Sequence, residues 1–281
     1  MGKPLLGPVD KILANANIGN HSKIKVKGTL QEYARNWRAL LCLMRSRPSH
    51  VRELIMHKEA AYQGLVDAAK FGVGGVWFSG TKNLAPFVWF YEWPEKVRQQ
   101  LCTDNNKNGT ITISDLELLG ILMHWLALEA AVGTKELKHQ SPALWCDNIN
   151  AVTWCYKFRN NTSTIAGNIL RVLATRIHKC ESGLLAIDHL SGVYNTMADV
   201  ASRKHTTNLT DFLKLFSNTF PPPKGGCWNL FQHSTKITSE ICSQLLLRTS
   251  TMGSWRRLPE KGSSFSTLGA AGLVPISQPY A

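Results

Sequence analysis

Four acidic residues stand out because each lies among apolar or small neighbours near the end of a predicted strand or helix: Asp67, Glu117, Asp147 and Asp199. A carboxylate in such surroundings costs stability unless a positive charge neutralises it, and four together repel one another. Two divalent cations would remove both costs, and hard oxygen ligands favour Mg²⁺ or Mn²⁺. Two such ions about 3.5–4 Å apart support in-line displacement at a phosphate, so the pattern predicts phosphoryl-transfer chemistry.

Each acid also has a purely structural interpretation. Ser114 and Glu117 fit a capping box at the start of a long apolar helix. Asp147 could cap the helix that follows it, and Asp199 could interact with a helix dipole. Asp115, two residues before Glu117, is an alternative metal ligand. The joint order of the acids, on strand, helix, strand and helix, is more specific than any one of them.

The elements that must position these acids follow from hydrophobic periodicity. Short spacers between the first three predicted strands indicate an antiparallel meander, and strands then alternate with helices. This order predicts an α/β fold, a mixed five-stranded sheet flanked by helices, with a helical N-terminal extension and an irregular C-terminal tail. The predicted strands are 62–69, 76–79, 86–93, 142–147 and 184–190. Helical spacing is found within 30–56, and the other main helices are 114–132, 149–158, 163–180, one that begins at about Thr196, and 207–217.

Composition narrows the class of protein. The 281 residues are 44% hydrophobic and 18% charged, which is typical of a globular protein. The formal net charge of +13 is concentrated in residues 1–58 and 204–281, while 59–203 is neutral, so a polyanionic partner is expected. Seven cysteines without a CxxC pair, and no secretory signal, predict an intracellular protein, cytoplasmic or nuclear and not secreted. The longest apolar run, 118–128, is too short to span a bilayer, so no membrane partner is expected.

Four segments together resemble the ribonuclease H domain of retrotransposon reverse transcriptases, especially those of gypsy-like and DIRS-like elements. The resemblance covers about residues 60–205. The segments are VDAAKFGVGGVWF, ITISDLELLG, LWCDNINAV and HLSGVYNTMADVASR. The last contains the family pattern in His189, Gly192, Asn195, Ala198, Asp199, Ser202 and Arg203.

The resemblance implies a ribonuclease H-like fold and hydrolysis of the RNA strand of an RNA–DNA hybrid with two Mg²⁺ (or Mn²⁺) ions. Carried over residue by residue, it implies that Asp67, Glu117, Asp147 and Asp199 are both the catalytic residues and the metal ligands. It also implies a possible second partner, the remainder of a reverse transcriptase polyprotein.

The sequence pattern and the resemblance together predict four parts of the chain. Residues 1–58 form a basic extension that resembles the thumb or connection end of a reverse transcriptase, and 59–205 form the ribonuclease H-like domain. Residues 206–220 form a trailing helix, and 221–281 a linker with a poorly ordered C-terminal region.

Two alternatives remain open at this stage. Many ribonucleases H carry a mobile histidine before the last aspartate, but Val193 takes that place and His189 is interpreted as structural. The chain could therefore be a catalytically inactive, nucleic-acid-binding relic of a retrotransposon. Residues 104–115 also fit the template of a calcium-binding loop with Asp115 at position twelve, although that position favours glutamate and such loops normally occur in pairs.

Overall fold

A computed structural model describes residues 26–46, 60–80, 84–158, 163–183, 185–203, 208–222, 226–246 and 273–274. The strands are β1 Tyr62–Ala68, β2 Gly72–Ser79, β3 Phe87–Glu92, β4 Ala143–Cys146, β5 Ala186–His189, β6 Asn229–Phe231 and β7 Leu273–Val274. The helices are α1 Gly28–Ser46, α2 Glu95–Gln99, α3 Ile113–Val132, α4 Thr134–Leu137, α5 Ile149–Lys157, α6 Thr164–Lys179, α7 Thr196–Arg203, α8 Leu209–Thr219 and α9 Thr235–Leu246. The predicted N-terminal loop at 1–25 and the short helix after Pro48 lie outside the described residues.

Within the described part of the chain, the strands form one mixed sheet in the order β5-β4-β1-β2-β3-β6-β7. The meander is antiparallel, whereas β1 pairs with β4, and β4 with β5, in parallel. The predicted ribonuclease H-like mixed sheet flanked by helices is therefore confirmed. A sheet edge that gathers the carboxyl ends of the parallel β1, β4 and β5 is the natural place for the acids to meet.

The sheet extends beyond the predicted five strands. The strand β6, Asn229–Phe231, pairs in parallel with β3. The strand β7, Leu273–Val274, then pairs antiparallel with β6. Both segments fall within 221–281, which the sequence assigned to a linker and a poorly ordered region. Three residues are too few to show period-two alternation, so the strand could not be recognised from the pattern.

Helices cover both faces of the sheet. On one face α3 packs against β1 and β2 and is itself covered by α5 and α6. Because α3 is enclosed on all sides, it is apolar around nearly its whole circumference, as its sequence predicted. On the other face α7 packs against β1, β2 and β3, and α8 completes a second core around Phe212 and Phe216.

One polar side chain on α3, that of His124, is completely buried. Its ring stacks on Trp77, and its Nδ1 accepts a hydrogen bond of 2.8 Å from Trp89 Nε1. Burial holds the pKa of His124 well below its usual value, so the imidazole is neutral. Gly64 makes room for the ring, since a Cβ there would lie 2.2 Å from His124 Nε2.

None of the helices among the described residues combines the length and apolarity needed to cross a bilayer.

Candidate metal centre

The first acid, Asp67, lies one residue before the carboxyl end of β1. The parallel register of β1 and β4 aligns Val66 with Cys146, so Asp67 lies beside Asp147, which directly follows β4. Neighbouring strands are about 4.8 Å apart, which brings the two carboxylates to adjacent positions on one edge. The Asp67 carboxylate is 5% exposed and accepts a hydrogen bond from the Ser202 hydroxyl at Oδ2.

The helix α7 brings Ser202 and the fourth acid, Asp199, to this edge. Gly74 on β2 allows the approach, because a Cβ there would lie 2.5 Å from the carbonyl carbon of Ala201. The loop before α7 is fixed by Asn195, whose Nδ2 donates a 3.0 Å hydrogen bond to the carbonyl of Val66. Asp199 is partly exposed.

The second acid, Glu117, enters from α3 and is 4% exposed. Its Oε2 accepts a hydrogen bond of 3.1 Å from the Ala68 backbone N–H and one of 3.6 Å from the Cys146 thiol. Glu117, Cys146 and Asp147 each offer a potential ligand atom, and these atoms all lie within 4.8 Å of one another. Such a spacing suits ligands that share a single cation.

Asp147 directly follows β4 and is partly exposed. Its carbonyl oxygen lies 3.0 Å from His189 Nε2, which places His189 at the edge of the site in a structural contact. A Cβ at Gly192 would lie 3.1 Å from Asp147 Oδ2, so the loop before α7 passes close to this carboxylate. Val193 in the same loop is 78% exposed.

Burial and mutual repulsion raise the pKa of three of these acids. Desolvation is the largest cause for Asp67, whose pKa is about 6; Asp147 and Asp199 raise it further, while the Ser202 hydrogen bond lowers it. Desolvation, followed by the charges of Asp67 and Asp147, raises the pKa of Glu117 well above its usual range. Desolvation is the largest cause that raises the pKa of Asp147, and the charge of Asp199 raises it further. The charges of His189 and Arg203 lower the pKa of Asp147. The four acids therefore interact electrostatically, whereas the potential ligand atoms found within 4.8 Å of one another in the described part of the chain belong to Glu117, Cys146 and Asp147.

The donor set fits a hard divalent cation. Desolvation, reinforced by Glu117, raises the pKa of the Cys146 thiol well above its usual value, so the sulfur remains protonated at neutral pH. The Cys146 thiol donates to Glu117 Oε2 at 3.6 Å, and the other potential ligand atoms at this site are carboxylate oxygens. Oxygen donors of this kind suit Mg²⁺ or Mn²⁺.

The predicted capping box of Ser114 and Glu117 is wrong. The N-cap of α3 is Thr112, whose hydroxyl accepts from the Asp115 N–H at 3.2 Å, while Asp115 Oδ2 accepts from the Thr112 N–H at 2.9 Å. Asp115 Oδ1 also accepts a 2.6 Å hydrogen bond from the Ser163 hydroxyl. Asp115 is thus occupied in fixing the helix start, whereas Glu117 points into the pocket.

The loop that resembles a calcium site is braced by its own hydrogen bonds. Asn106 Nδ2 donates to the carbonyls of Gln99 and Leu101 at 2.9 and 3.1 Å. Asp115, the twelfth position of the template, is engaged at the α3 cap. These contacts account for the polar Asn-Gly sequence as a turn that leads into a capped helix.

Two contributors to the pocket had no role assigned from the sequence. Ser202 was noted only as a motif residue, and Cys146 was only one of the seven cysteines. The serine contacts an acid 135 positions away, and the thiol contacts one 29 positions away. The motif spacing could have indicated Ser202, because it lies three residues after Asp199 and so shares its helix face.

No protein-family model and no curated protein matches the chain. Among solved structures it is similar to the ribonuclease H1 LC11, isolated from compost by a metagenomic approach and solved in complex with an RNA/DNA hybrid. The identity is 13% and the TM-score 0.37, over 50% of this chain and 92% of that one. For ribonuclease H1 from the halophilic archaeon Halobacterium salinarum NRC-1 the values are 15% and 0.32, over 50% and 92%.

A foamy viral protease-reverse transcriptase in complex with double-stranded DNA is also similar, at 13% identity and a TM-score of 0.26, over 66% of this chain and 34% of that one. The metal centre rests on the geometry of its own residues.

Proposed function

We propose that this chain is a metal-dependent ribonuclease H that hydrolyses the RNA strand of an RNA–DNA hybrid and derives from a retroelement reverse transcriptase. The observation that supports the proposal is the group at the carboxyl end of β4 in which Glu117, Cys146 and Asp147 place potential ligand atoms within 4.8 Å of one another. Asp67 lies on the neighbouring strand β1, and Asp199 acts electrostatically on Asp67 and Asp147. The four-acid order and the resemblance in residues 60–205 support the choice of substrate.

In this proposal each acid has a defined task. The buried Asp67 and Glu117 would hold the cations from the protein side, and Asp147 and Asp199, which are partly exposed, would face the scissile phosphate. Bound divalent ions would activate the attacking water and stabilise the departing oxygen. Ser202 orients Asp67, and the Ala68 N–H orients Glu117, so both carboxylates are held in place before a cation binds.

The basic flanks supply the attraction to a polyanion. On α1 the exposed residues Arg35, Arg38 and Arg45 fall within about 80° of one another around the helix axis, at 3.6 residues per turn. Phosphate contacts by such side chains make binding sensitive to salt, with the logarithm of affinity falling linearly with the logarithm of salt concentration. We expect hybrid binding to weaken steeply as salt rises.

The test is cleavage of a hybrid whose RNA strand is labelled, with Mg²⁺ and with EDTA. The full chain should cleave with Mg²⁺ only, and Asp147→Asn should abolish cleavage while keeping the circular dichroism spectrum. Asp211→Asn, on the exposed first turn of α8, is the matched control and should cleave normally. Unchanged cleavage by Asp147→Asn would refute the assignment.

The competing interpretation is a non-catalytic nucleic-acid-binding relic. Val193, in the position where many ribonucleases H carry histidine, is the observation that favours it. Calorimetric titration with Mn²⁺ separates the two, because a functional site binds saturably and loses that binding in Asp147→Asn. A relic would bind hybrid with equal affinity in both proteins and show no saturable metal binding.

A further inference from the structure

Four exposed apolar side chains lie in the segments that follow β1, β4 and β5, at the sheet edge that carries the acids. Phe71 follows β1, Ile149 follows β4, and Val193 and Tyr194 follow β5; we call these four residues the apolar rim. They are 52%, 63%, 78% and 73% exposed, respectively. Large apolar side chains concentrated at one place on a surface mark an interaction site.

The rim follows the same sheet edge as the acids. In the strand order, the loop after β5, the end of β4 and the turn between β1 and β2 lie next to one another. At about 4.8 Å between strands, the row from β5 to β2 is about 14 Å long. That length matches about four nucleotides at 3.4 Å per step of a strand.

Phe71, Val193 and Tyr194 lie close along the chain to residues at the metal centre. Phe71 lies four residues after Asp67, and its carbonyl accepts a 2.9 Å hydrogen bond from the Trp93 N–H, which holds the turn. Val193 and Tyr194 directly follow Gly192, which passes close to Asp147. A ligand that reaches the carboxylates therefore also meets the rim.

Cations accompany the apolar side chains. Lys70 Nζ lies 5.4 Å from the centre of the Phe71 ring, and the Arg98 guanidinium carbon lies 5.9 Å from it. Arg203, on α7, is 66% exposed beside Asp199. Arg98 is also ion-paired with Glu95 at 2.7 Å, as Arg203 is with Asp199. Cationic groups beside exposed apolar side chains suit a chain of sugars and phosphates. A protein partner seated on the rim would close the pocket that the proposed reaction needs open.

We infer that the apolar rim is the contact surface for the nucleic-acid strand that carries the scissile phosphate, with its side chains against sugars and base edges; this inference rests on the proposed function. An A-like duplex presents its sugars and base edges in a wide, shallow minor groove, which apolar side chains can reach. Phe71 and Tyr194 lie towards opposite ends of the row, so together they set the position of the strand over the acids.

The test measures binding of a labelled hybrid by fluorescence anisotropy in the full chain carrying Asp147→Asn, so that cleavage does not interfere. Adding Phe71→Ala or Tyr194→Ala should weaken binding at least about fivefold, the low end of the loss when an aromatic contact to a base is removed. Tyr156→Ala is the matched control, because Tyr156 is 76% exposed but lies seven residues, about 10 Å, along α5 from Ile149.

The outcomes separate this inference from the proposed function. Weaker binding in both rim variants and unchanged binding in the control support the rim, even if the unmodified chain proves unable to cleave the hybrid. Unchanged binding in the rim variants, or an equal loss in the Tyr156→Ala control, overturns the inference, even if the chain cleaves. Mn²⁺ affinity, measured in the rim variants without Asp147→Asn, should equal that of the unmodified chain, and a loss there would mean that the rim acts on the metal centre instead.

Discussion

Replacing Asp67 by asparagine should make the metal-free protein more stable at neutral pH. Asp67 is buried, and its pKa is about 6 in the folded protein against 3.8 for an ordinary aspartate. At pH 7 the folded state therefore holds an ionised group in an environment that disfavours its charge, at a cost of roughly 3 kcal/mol. Asparagine removes the charge and can still accept the hydrogen bond from Ser202, so the free energy of unfolding in EDTA should rise by up to about that amount.

The pH dependence of the unfolding free energy follows from the same difference between the folded and unfolded pKa of Asp67. Because the folded pKa is raised, the folded state takes up a proton more readily than the unfolded state between about pH 4 and 6. The contribution of Asp67 to instability is complete above the folded pKa and disappears as the pH falls below 3.8. The gap in stability between Asp67→Asn and the unmodified chain should thus narrow from pH 7 to pH 4.

The measurement is urea unfolding followed by tryptophan fluorescence, in EDTA and in Mg²⁺. A metal at 100 times its dissociation constant should stabilise the unmodified chain by about 2.7 kcal/mol, and should stabilise Asp67→Asn less. Asp211→Asn, on the exposed start of α8, should change the unfolding free energy by no more than about 0.5 kcal/mol. If Asp67→Asn proves less stable than the unmodified chain in EDTA at pH 7, with an unchanged m-value, the electrostatic reasoning is wrong.

Three further substitutions test individual contacts. Asp115→Ala removes the α3 capping bonds and should cost about 1–2 kcal/mol in urea unfolding, with unchanged Mn²⁺ affinity by calorimetry; a large loss of affinity would make Asp115 a ligand. Arg203→Gln frees Asp199 from a 2.6 Å ion pair that is largely exposed, and should tighten Mn²⁺ binding by at most about fivefold; weaker binding would contradict a competing role. Gly64→Ala places a Cβ 2.2 Å from the His124 ring and should cost several kcal/mol in unfolding free energy, so a neutral result would show that the ring can move.

The sheet and the acid positions could be predicted because they depend on local signals. Strands of apolar and β-branched residues separated by short turns indicate a meander, and the alternation that follows indicates parallel strands. Asp147 comes directly after a buried strand, and Asp67 lies just before the end of another, so a shared edge follows from topology alone. The contacts that orient these acids depend on register and helix placement, which no local pattern specifies.

The start of α3 shows how local patterns can mislead. The sequence TISDLE holds two overlapping cap patterns, Thr112 with Asp115 and Ser114 with Glu117. The standard template prefers glutamate at the last position and therefore selects the second pair. The structure uses the first, because Asp115 also bonds to Ser163 on the far side of a loop and Glu117 bonds to the backbone of β1. Tertiary contacts therefore determine which of the two capping patterns forms, because the local sequence allows either one.

A second buried acid in the same helix shows how this chain neutralises a carboxylate with a structural role. Glu129 on α3 receives two hydrogen bonds from the Arg176 guanidinium, at 3.0 and 2.7 Å. In the described part of the chain, no lysine or arginine lies within ion-pair distance of Asp67 or Glu117, which have only neutral donors. Neutral donors orient a carboxylate but do not cancel the repulsion between two of them. Under the proposed function a divalent cation from solution supplies the positive charge, and the orienting groups would hold it at the edge where a phosphate can approach.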